Sequence, residues 1–309
     1  MRETFVKTLM EYAEVHPDVC LLTADLGFGV LKPFWEAYPH RFFNVGIAEQ
    51  NMTAMAAGLA LSGKRVVTYS IGNFPTLRCL EQIRNDCAGH GADVKIVCVG
   101  GGFTYGSLGM SHHATEDLAV IRAIPGITVF SPGDAAETAW AVRTMLETPG
   151  TCYLRLGRGG EQSIPHLSRA FSVGMPVAVR EGREAAICFT GPVYEEVARA
   201  VEILDTRGIQ PAVYAFPTVK PLDRASICRM TGKYRLIVTW EEHSILGGFG
   251  SAVAEILAES PGRSRLLRAG IPDRFSPVAG DQRYLRKLFG LDGETVAERI
   301  ETWLKTERY

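Results

Sequence analysis

Glu49 is the side chain whose surroundings most invite chemistry. It follows a short apolar stretch, Phe42-Phe43-Asn44-Val45, and a turn, Gly46-Ile47-Ala48. It then opens a run from Gln50 to Leu61 built from Met, Ala, Gly and other small or flexible residues with no further charge. Such a helix is expected to be buried, and small residues let another backbone approach closely. A carboxylate carried into that setting is costly unless it has a partner or a task. One reading is an acid at a helix start that satisfies free backbone N–H groups. The other is an acid held out of water, able to hold or share a proton near neutrality.

A second candidate is the loop Gly106-Ser107-Leu108-Gly109-Met110-Ser111-His112-His113-Ala114-Thr115-Glu116-Asp117. Zinc ligation needs more His, Cys or carboxylate partners than this loop offers. A polar contact to substrate suits His112, since a neutral imidazole both donates and accepts. Thr115 or Asp117 is expected to cap the helix that follows. The glycine turns Gly27-Phe28-Gly29 and Gly100-Gly101-Gly102 each follow a strand, but neither meets the dinucleotide fingerprint, and GxxxxGK[ST] is absent. They read as turns, with close approach to a ligand as the alternative.

These residues sit in a chain of 309 residues, 46% apolar, with a formal charge of −1. That length suffices for two ordinary domains. Near-zero charge with scattered basic residues argues against nucleic-acid or polybasic membrane binding. The N-terminus, MRETFVKTLMEYAEV, has a helical amphipathic pattern rather than a signal sequence, and no apolar run is long enough to span a bilayer. Seven cysteines lie singly, with no zinc spacing and no CxxC, which suits reduced thiols in a cytoplasmic protein.

Strand-like runs at Val19–Ala24, Phe42–Val45, Arg65–Ile71, Lys95–Gly100, Ile127–Ser131 and Cys152–Leu156 alternate with helical patterns near Thr4–Val15, Gln50–Leu61, Leu77–Cys87, Glu116–Ala123 and Ala135–Glu147. That alternation predicts an α/β domain with a mostly parallel sheet covered on both faces, here residues 1–160. The stretch 161–182 has scattered Gly, Pro, Ser and charge, as a linker does. A second α/β domain, 183–309, is expected from strands at Ala185–Phe189, Pro211–Ala215, Leu236–Trp240 and Leu266–Gly270. Its helices are expected at Val193–Arg207, Gly248–Glu259, Gln282–Phe289 and Asp292–Lys305. Backbone N–H groups converging near Gly247–Gly250 offer a candidate ion or regulator site.

Several ordered motifs together resemble the pyrimidine-binding domain of transketolases. They are Asn44-Val45-Gly46-Ile47-Ala48-Glu49-Gln50-Asn51-Met52 with Met55-Ala56-Ala57-Gly58-Leu59-Ala60, Thr23-Ala24-Asp25-Leu26, Gly72-Asn73-Phe74 with Glu81-Gln82-Ile83-Arg84-Asn85-Asp86, and Ser111-His112-His113 with Glu116-Asp117. Trp240-Glu241-Glu242-His243 and Gly247-Gly248-Phe249-Gly250 resemble the transketolase C-terminal domain. The resemblance covers essentially the whole chain and implies the C-terminal half of a split transketolase. It further implies thiamine diphosphate as cofactor, with Mg2+ or another divalent metal. In this family the diphosphate and metal are held elsewhere, on a GDG…N motif, and no GDG occurs here. The implied partner is therefore an N-terminal subunit carrying that motif, in an α2β2 assembly whose interface buries the Ala/Met/Gly helix.

The resemblance assigns Glu49 to the cofactor's aminopyrimidine N1′, where it favours the imino tautomer whose 4′ nitrogen removes the thiazolium C2 proton. Phe74 is implied to stack on the pyrimidine, and Ile47 to hold the cofactor's bent shape. Asp25 and Leu26 also fall to the cofactor site, His112 to substrate oxygens, and Arg158 and Arg2 to a substrate phosphate. A guanidinium grips two phosphate oxygens at once. Departures matter too. Leu108-Gly109 stands where the family carries Asp-Gly ahead of the histidine, Gly29 takes the place of a phosphate-contacting serine, and a further family histidine is replaced within Gly100–Phe103. Losing the aspartate that reads the substrate 2-hydroxyl changes discrimination strongly, so an unusual sugar is expected for two-carbon ketol transfer. The alternatives are a 2-oxo-acid-dependent relative, similar to deoxyxylulose-phosphate synthase or a dehydrogenase β subunit, and a non-catalytic assembly subunit.

Overall fold

The structure is a computed structural model and describes residues 1–306. Six strands, β1 (Val19–Thr23), β2 (Phe42–Asn44), β3 (Arg65–Ile71), β4 (Val94–Val99), β5 (Thr128–Phe130) and β6 (Cys152–Leu156), run parallel in the order β5-β6-β4-β3-β1-β2. The central members are buried along their whole length because both faces are covered, as in parallel sheets generally, and are mostly apolar, with Lys95 and Arg155 as buried charged exceptions. Helices Arg2–Val15 and Ala135–Glu147 pack Phe5, Leu9, Val142 and Met145 on one face. The helix Glu49–Leu61 and the helix Asp117–Ala123 pack Met52, Ala56, Leu118 and Ile121 on the other.

The second sheet has β7 (Val177–Arg180), β8 (Ala185–Phe189), β9 (Ala212–Ala215), β11 (Leu236–Ser244) and β12 (Arg265–Ile271) in the order β12-β11-β8-β9-β7. It is parallel except for β7, an antiparallel edge strand lying inside the stretch expected to be a linker. Between β9 and β11 the chain sends β10 (Thr218–Lys220) across to the first sheet, where it pairs antiparallel with β5. The two sheets are thus joined through the backbone. One apolar cluster, holding Ile96, Leu118, Phe216, Ile237 and Phe249, runs through both.

Three expectations about elements need correction. Phe28–Ala37 is a helix, hidden from periodicity by Gly29 and Pro33. Arg224–Lys233 is another, with Ser, Thr and Gly diluting its apolar face. The helix expected over Leu77–Cys87 is a short turn, Leu80–Gln82, that widens into a π-helical segment at Ile83–Ala88.

Arg155, in the middle of β6, ties the halves together. Its Nε donates to Asp117 Oδ2 (2.9 Å), and its Nη2 donates to the carbonyls of Ala114 (2.8 Å) and Glu242 (3.0 Å). Tyr153 donates its hydroxyl to the same Asp117 oxygen (2.8 Å). Asp117 therefore commits its carboxylate to the strand beneath and does not cap its helix, nor does Thr115, whose hydroxyl bonds Glu116. Glu242 in turn accepts from the Phe103 N–H and Gln282 and pairs with Arg286. Asp117→Ala strands a buried guanidinium, and removing one partner of such a pair typically costs about 3–5 kcal/mol. Urea unfolding of that variant should show a loss of this order, whereas Glu255→Ala, which breaks a partly exposed pair with Arg122, should cost under about 1 kcal/mol.

Candidate active site

Because β1, β2, β3, β4 and β6 are parallel, the loops leaving their C-terminal ends stand along one edge of the sheet. These loops carry Asp25 and Leu26, Ile47 and Glu49, Phe74, His112 and Arg158 in turn. In open parallel sheets ligands bind at this edge.

The first two loops are pinned to each other. Asn44 Oδ1 accepts the backbone N–H of Asp25 (2.9 Å) and of Gly46 (3.1 Å), and its amide donates to Asp25 Oδ1 (3.3 Å). Asp25 adopts φ +57°, unusual outside glycine, and this clamp stabilises it. Leu26 is half-buried, and its carbonyl accepts the Thr23 hydroxyl (3.0 Å). Past Gly46, Ile47 projects with 77% of its surface exposed.

Glu49 is the first residue of its helix and only 2% exposed. Its carboxylate makes no side-chain cap at the helix start. It meets Arg78 instead, whose Nη1 lies 2.6 Å from Oε2. The same guanidinium lies 5.0 Å from the centroid of the Phe74 ring, and Phe74 meets His112 edge-to-face at 5.2 Å. Arg78 escaped sequence reasoning because nothing local links it to a residue 29 positions earlier. The available signal was a lone cation in the otherwise uncharged segment Asn73–Leu80.

Within this chain the Glu49 helix is covered on one face only. Met52, Thr53, Ala56 and Ala57 are buried, while Asn51, Ala54, Met55, Gly58 and Leu61 form an exposed stripe. Of the two histidines, His112 points toward Phe74 with Ser111 Oγ at its Nδ1 (3.1 Å). His113 turns inward and bonds the Gly106 carbonyl through Nε2 (3.1 Å). Leu108 (55% exposed) and Met110 stand open on the same loop. Arg158 lies over the Tyr105 ring at 5.9 Å, and its carbonyl accepts Arg2 Nε at 2.5 Å. Arg2 and Arg158 thereby line one cleft of about 470 Å³ with Glu3, Thr4 and Val30. Gly29 falls within the first turn of the helix Phe28–Ala37, exposed to open space.

The glycine loops serve packing. A side chain at Gly102 (φ +64°) would run into the Glu242 carboxylate, so that turn lets β11 approach. The converging N–H groups near Gly248 have an internal partner as well. Glu241 accepts from Phe249 N and Gly250 N, both at 2.7 Å, and fills the anion position at that helix start. Burial pushes the Glu241 carboxyl up to about 7. His243 beside it, 3.8 Å away, is held down to about 4 by burial; it accepts Ala119 N–H at Nε2 (3.2 Å) and donates from Nδ1 to Ser244 O (2.8 Å).

Residues 1–160 match the family profile of the transketolase pyrimidine-binding domain, and residues 175–296 match that of the transketolase C-terminal domain. The chain belongs to the transketolase family. Within that family it corresponds to the C-terminal half of a split enzyme. A protein of Methanocaldococcus jannaschii described as a putative transketolase C-terminal section is 39% identical over 99% of this chain and 97% of its own length. One of the subunits of the apulose-4-phosphate transketolase of Phocaeicola vulgatus is 34% identical over 98% of this chain and 97% of its own. The solved structure of a split-gene transketolase, an inactive β4 tetramer, superposes with a TM-score of 0.89 at 34% identity over 99% of both chains.

The family implies dependence on thiamine diphosphate. The donor set here fits its pyrimidine end, with a buried carboxylate and an aromatic ring that share one flat guanidinium, Arg78. Among the described residues no group of three His, Cys, Asp or Glu side chains is placed to hold a metal ion.

The sign of the Glu241 pH dependence is fixed by its raised value. Between the ordinary 4.5 and about 7 the native chain keeps a proton that the unfolded chain releases, so stability falls as pH rises across that window. His243 acts oppositely, with stability lost as pH falls from 6.5 towards 4. Glu241→Gln removes only the first contribution. Its stability relative to the parent should therefore climb with pH from 4.5 to 7, by at most about 1.4 kcal/mol per pH unit, read from urea midpoints.

Proposed function

We propose that this chain is the C-terminal subunit of a thiamine-diphosphate-dependent transketolase that moves a two-carbon ketol unit from a ketose to an aldehyde or sugar acceptor. The observation that carries this reading is the carboxylate of Glu49, buried at the start of a helix and bridged by the Arg78 guanidinium to the ring of Phe74, at the ligand-binding edge of a parallel sheet. When bound, the cofactor supplies a stabilised carbanion at its thiazolium carbon; the protein binds and polarises it. Glu49 holds a proton at the pyrimidine N1′, Phe74 stacks on that ring and Ile47 packs against the cofactor. Asp25 and Leu26 shape the neighbouring wall. His112 contacts substrate oxygens, and Arg158 with Arg2 binds a substrate phosphate.

A second, N-terminal subunit holds the diphosphate and a divalent metal on a GDG…N motif, in a cytoplasmic α2β2 assembly. The exposed stripe of Asn51, Ala54, Met55, Gly58 and Leu61 is the surface that this assembly buries. Its small residues permit close backbone approach. Leu108, exposed where the family reads a substrate hydroxyl, favours an unusual sugar acceptor. The same residue favours the 2-oxo-acid reading as the second candidate. Carbon dioxide release from pyruvate by the reconstituted pair, with no ketose turnover, would decide for it.

Two outcomes test the assignment. In the reconstituted pair Glu49→Gln should lower ketol transfer at least about 100-fold while assembly is retained, as loss of a general acid–base group does; full activity in that variant ends the proposal. Co-expression with a neighbouring chain carrying GDG…N should give one co-eluting complex by size exclusion. Met55→Glu should weaken that complex without altering the isolated chain's fold, because Met55 is exposed there.

A further inference from the structure

Arg78 makes both contacts that the proposed reading gives to the cofactor's pyrimidine. Its Nη1 donates to Glu49 Oε2 at 2.6 Å, and its guanidinium lies 5.0 Å from the Phe74 ring centroid. The mimicry is chemical as well as positional. A guanidinium is flat, delocalised and edged with N–H donors, and an aminopyrimidine presents a flat face and an amidine-like edge. Glu49 is buried, whereas the Arg78 side chain is 47% exposed and reaches in from solvent. Arg78 can thus leave at little packing cost, but Glu49 cannot be left behind uncompensated, since a buried carboxylate without a partner is strongly unfavourable.

We propose that Arg78 is a positioning residue that closes the pyrimidine seat in the lone chain and surrenders both contacts when an aminopyrimidine takes its place. This rests on the reading of Glu49 and Phe74 as that seat. The carboxylate is never unpaired: Arg78 holds it before assembly and the pyrimidine afterwards. Arg78 therefore competes with cofactor binding by the isolated subunit, while keeping Glu49 folded and correctly turned.

The test uses the isolated full chain and thiamine, which lacks the diphosphate and needs no metal site. Saturation-transfer NMR on the pyrimidine methyl group reads affinities down to millimolar, and thermal unfolding reads the cost of the unpaired carboxylate. Arg78→Ala should bind thiamine at least about fivefold tighter than the parent, melt lower, and regain melting temperature when thiamine is added. Arg78→Lys keeps the charge but loses the flat face, so it should melt like the parent and bind thiamine with intermediate affinity. Adding Glu49→Gln to Arg78→Ala should remove the gain. Equal or weaker binding by Arg78→Ala, or no transfer in either protein, overturns the exchange and leaves the seat to be judged by Glu49→Gln in the assembled enzyme. A gain that survives Glu49→Gln places thiamine elsewhere and overturns the seat together with the exchange.

Discussion

The ion pair between Arg155 and Asp117 is the constraint on which the rest of the molecule depends. Arg155 sits on β6, a strand otherwise read as plain core, and both partners are essentially removed from water. Such a pair is held by further hydrogen bonds, since desolvation rivals the Coulombic gain. Here the guanidinium also bonds the carbonyls of Ala114 and Glu242. One side chain therefore fixes the end of the His112 loop, the start of the following helix, and the strand β11 of the second domain. The Trp240-Glu241-Glu242-His243 motif belongs to this junction. Glu241 closes a helix start, Glu242 braces the Gly100–Phe103 turn, and His243 receives the Ala119 N–H. A motif that identifies the C-terminal domain thus works in part by holding the loops of the other domain.

The same sharing of one side chain among several partners appears at the sheet edge. Asn44 accepts from two neighbouring backbone N–H groups through Oδ1 and donates from Nδ2 to Asp25, so the loops after β1 and β2 are tied together. His113 turns under its loop and anchors it, leaving its neighbour His112 toward the Phe74 ring. Adjacent residues with identical side chains thus divide structural and presented roles. Burial decides which is which.

How much of this was legible in the sequence follows from how local each signal is. The six parallel strands were readable because strands covered on both faces are mostly apolar, even where Lys95 or Arg155 interrupts the run. Glu49 was readable because a lone acid opens an uncharged run of small residues. By contrast, Arg78 reaches Glu49 across 29 positions, and Arg155 reaches Glu242 across 87, so no window contains both ends. β10 is three residues long and joins the sheet of the other domain, a pairing that periodicity does not encode. The helix Phe28–Ala37 forms despite Gly29 and Pro33 because Leu31 and Phe34 are drawn into the core, where tertiary burial outweighs propensity. The exposed face of the Glu49 helix shows another limit. Composition reports that a surface is apolar, but not whether its covering comes from the same chain.

That last point bears on how the chain holds its candidate site by itself. The groups that position Glu49, Phe74 and His112 lie within this chain: the Asn44 clamp, the buried Met52 and Ala56 beneath the helix, and the Arg155 junction. The side chains are therefore held by this chain alone, so binding of a ligand or partner there would not divert energy into ordering them, which is the advantage of preorganisation. What stays open is what another surface would cover: Ile47, the stripe through Met55 and Gly58, and the outer side of Arg78. A buried acid with its own internal cation can wait at such an edge without unfolding its helix. An acid lacking that cation could be kept there only by permanent assembly.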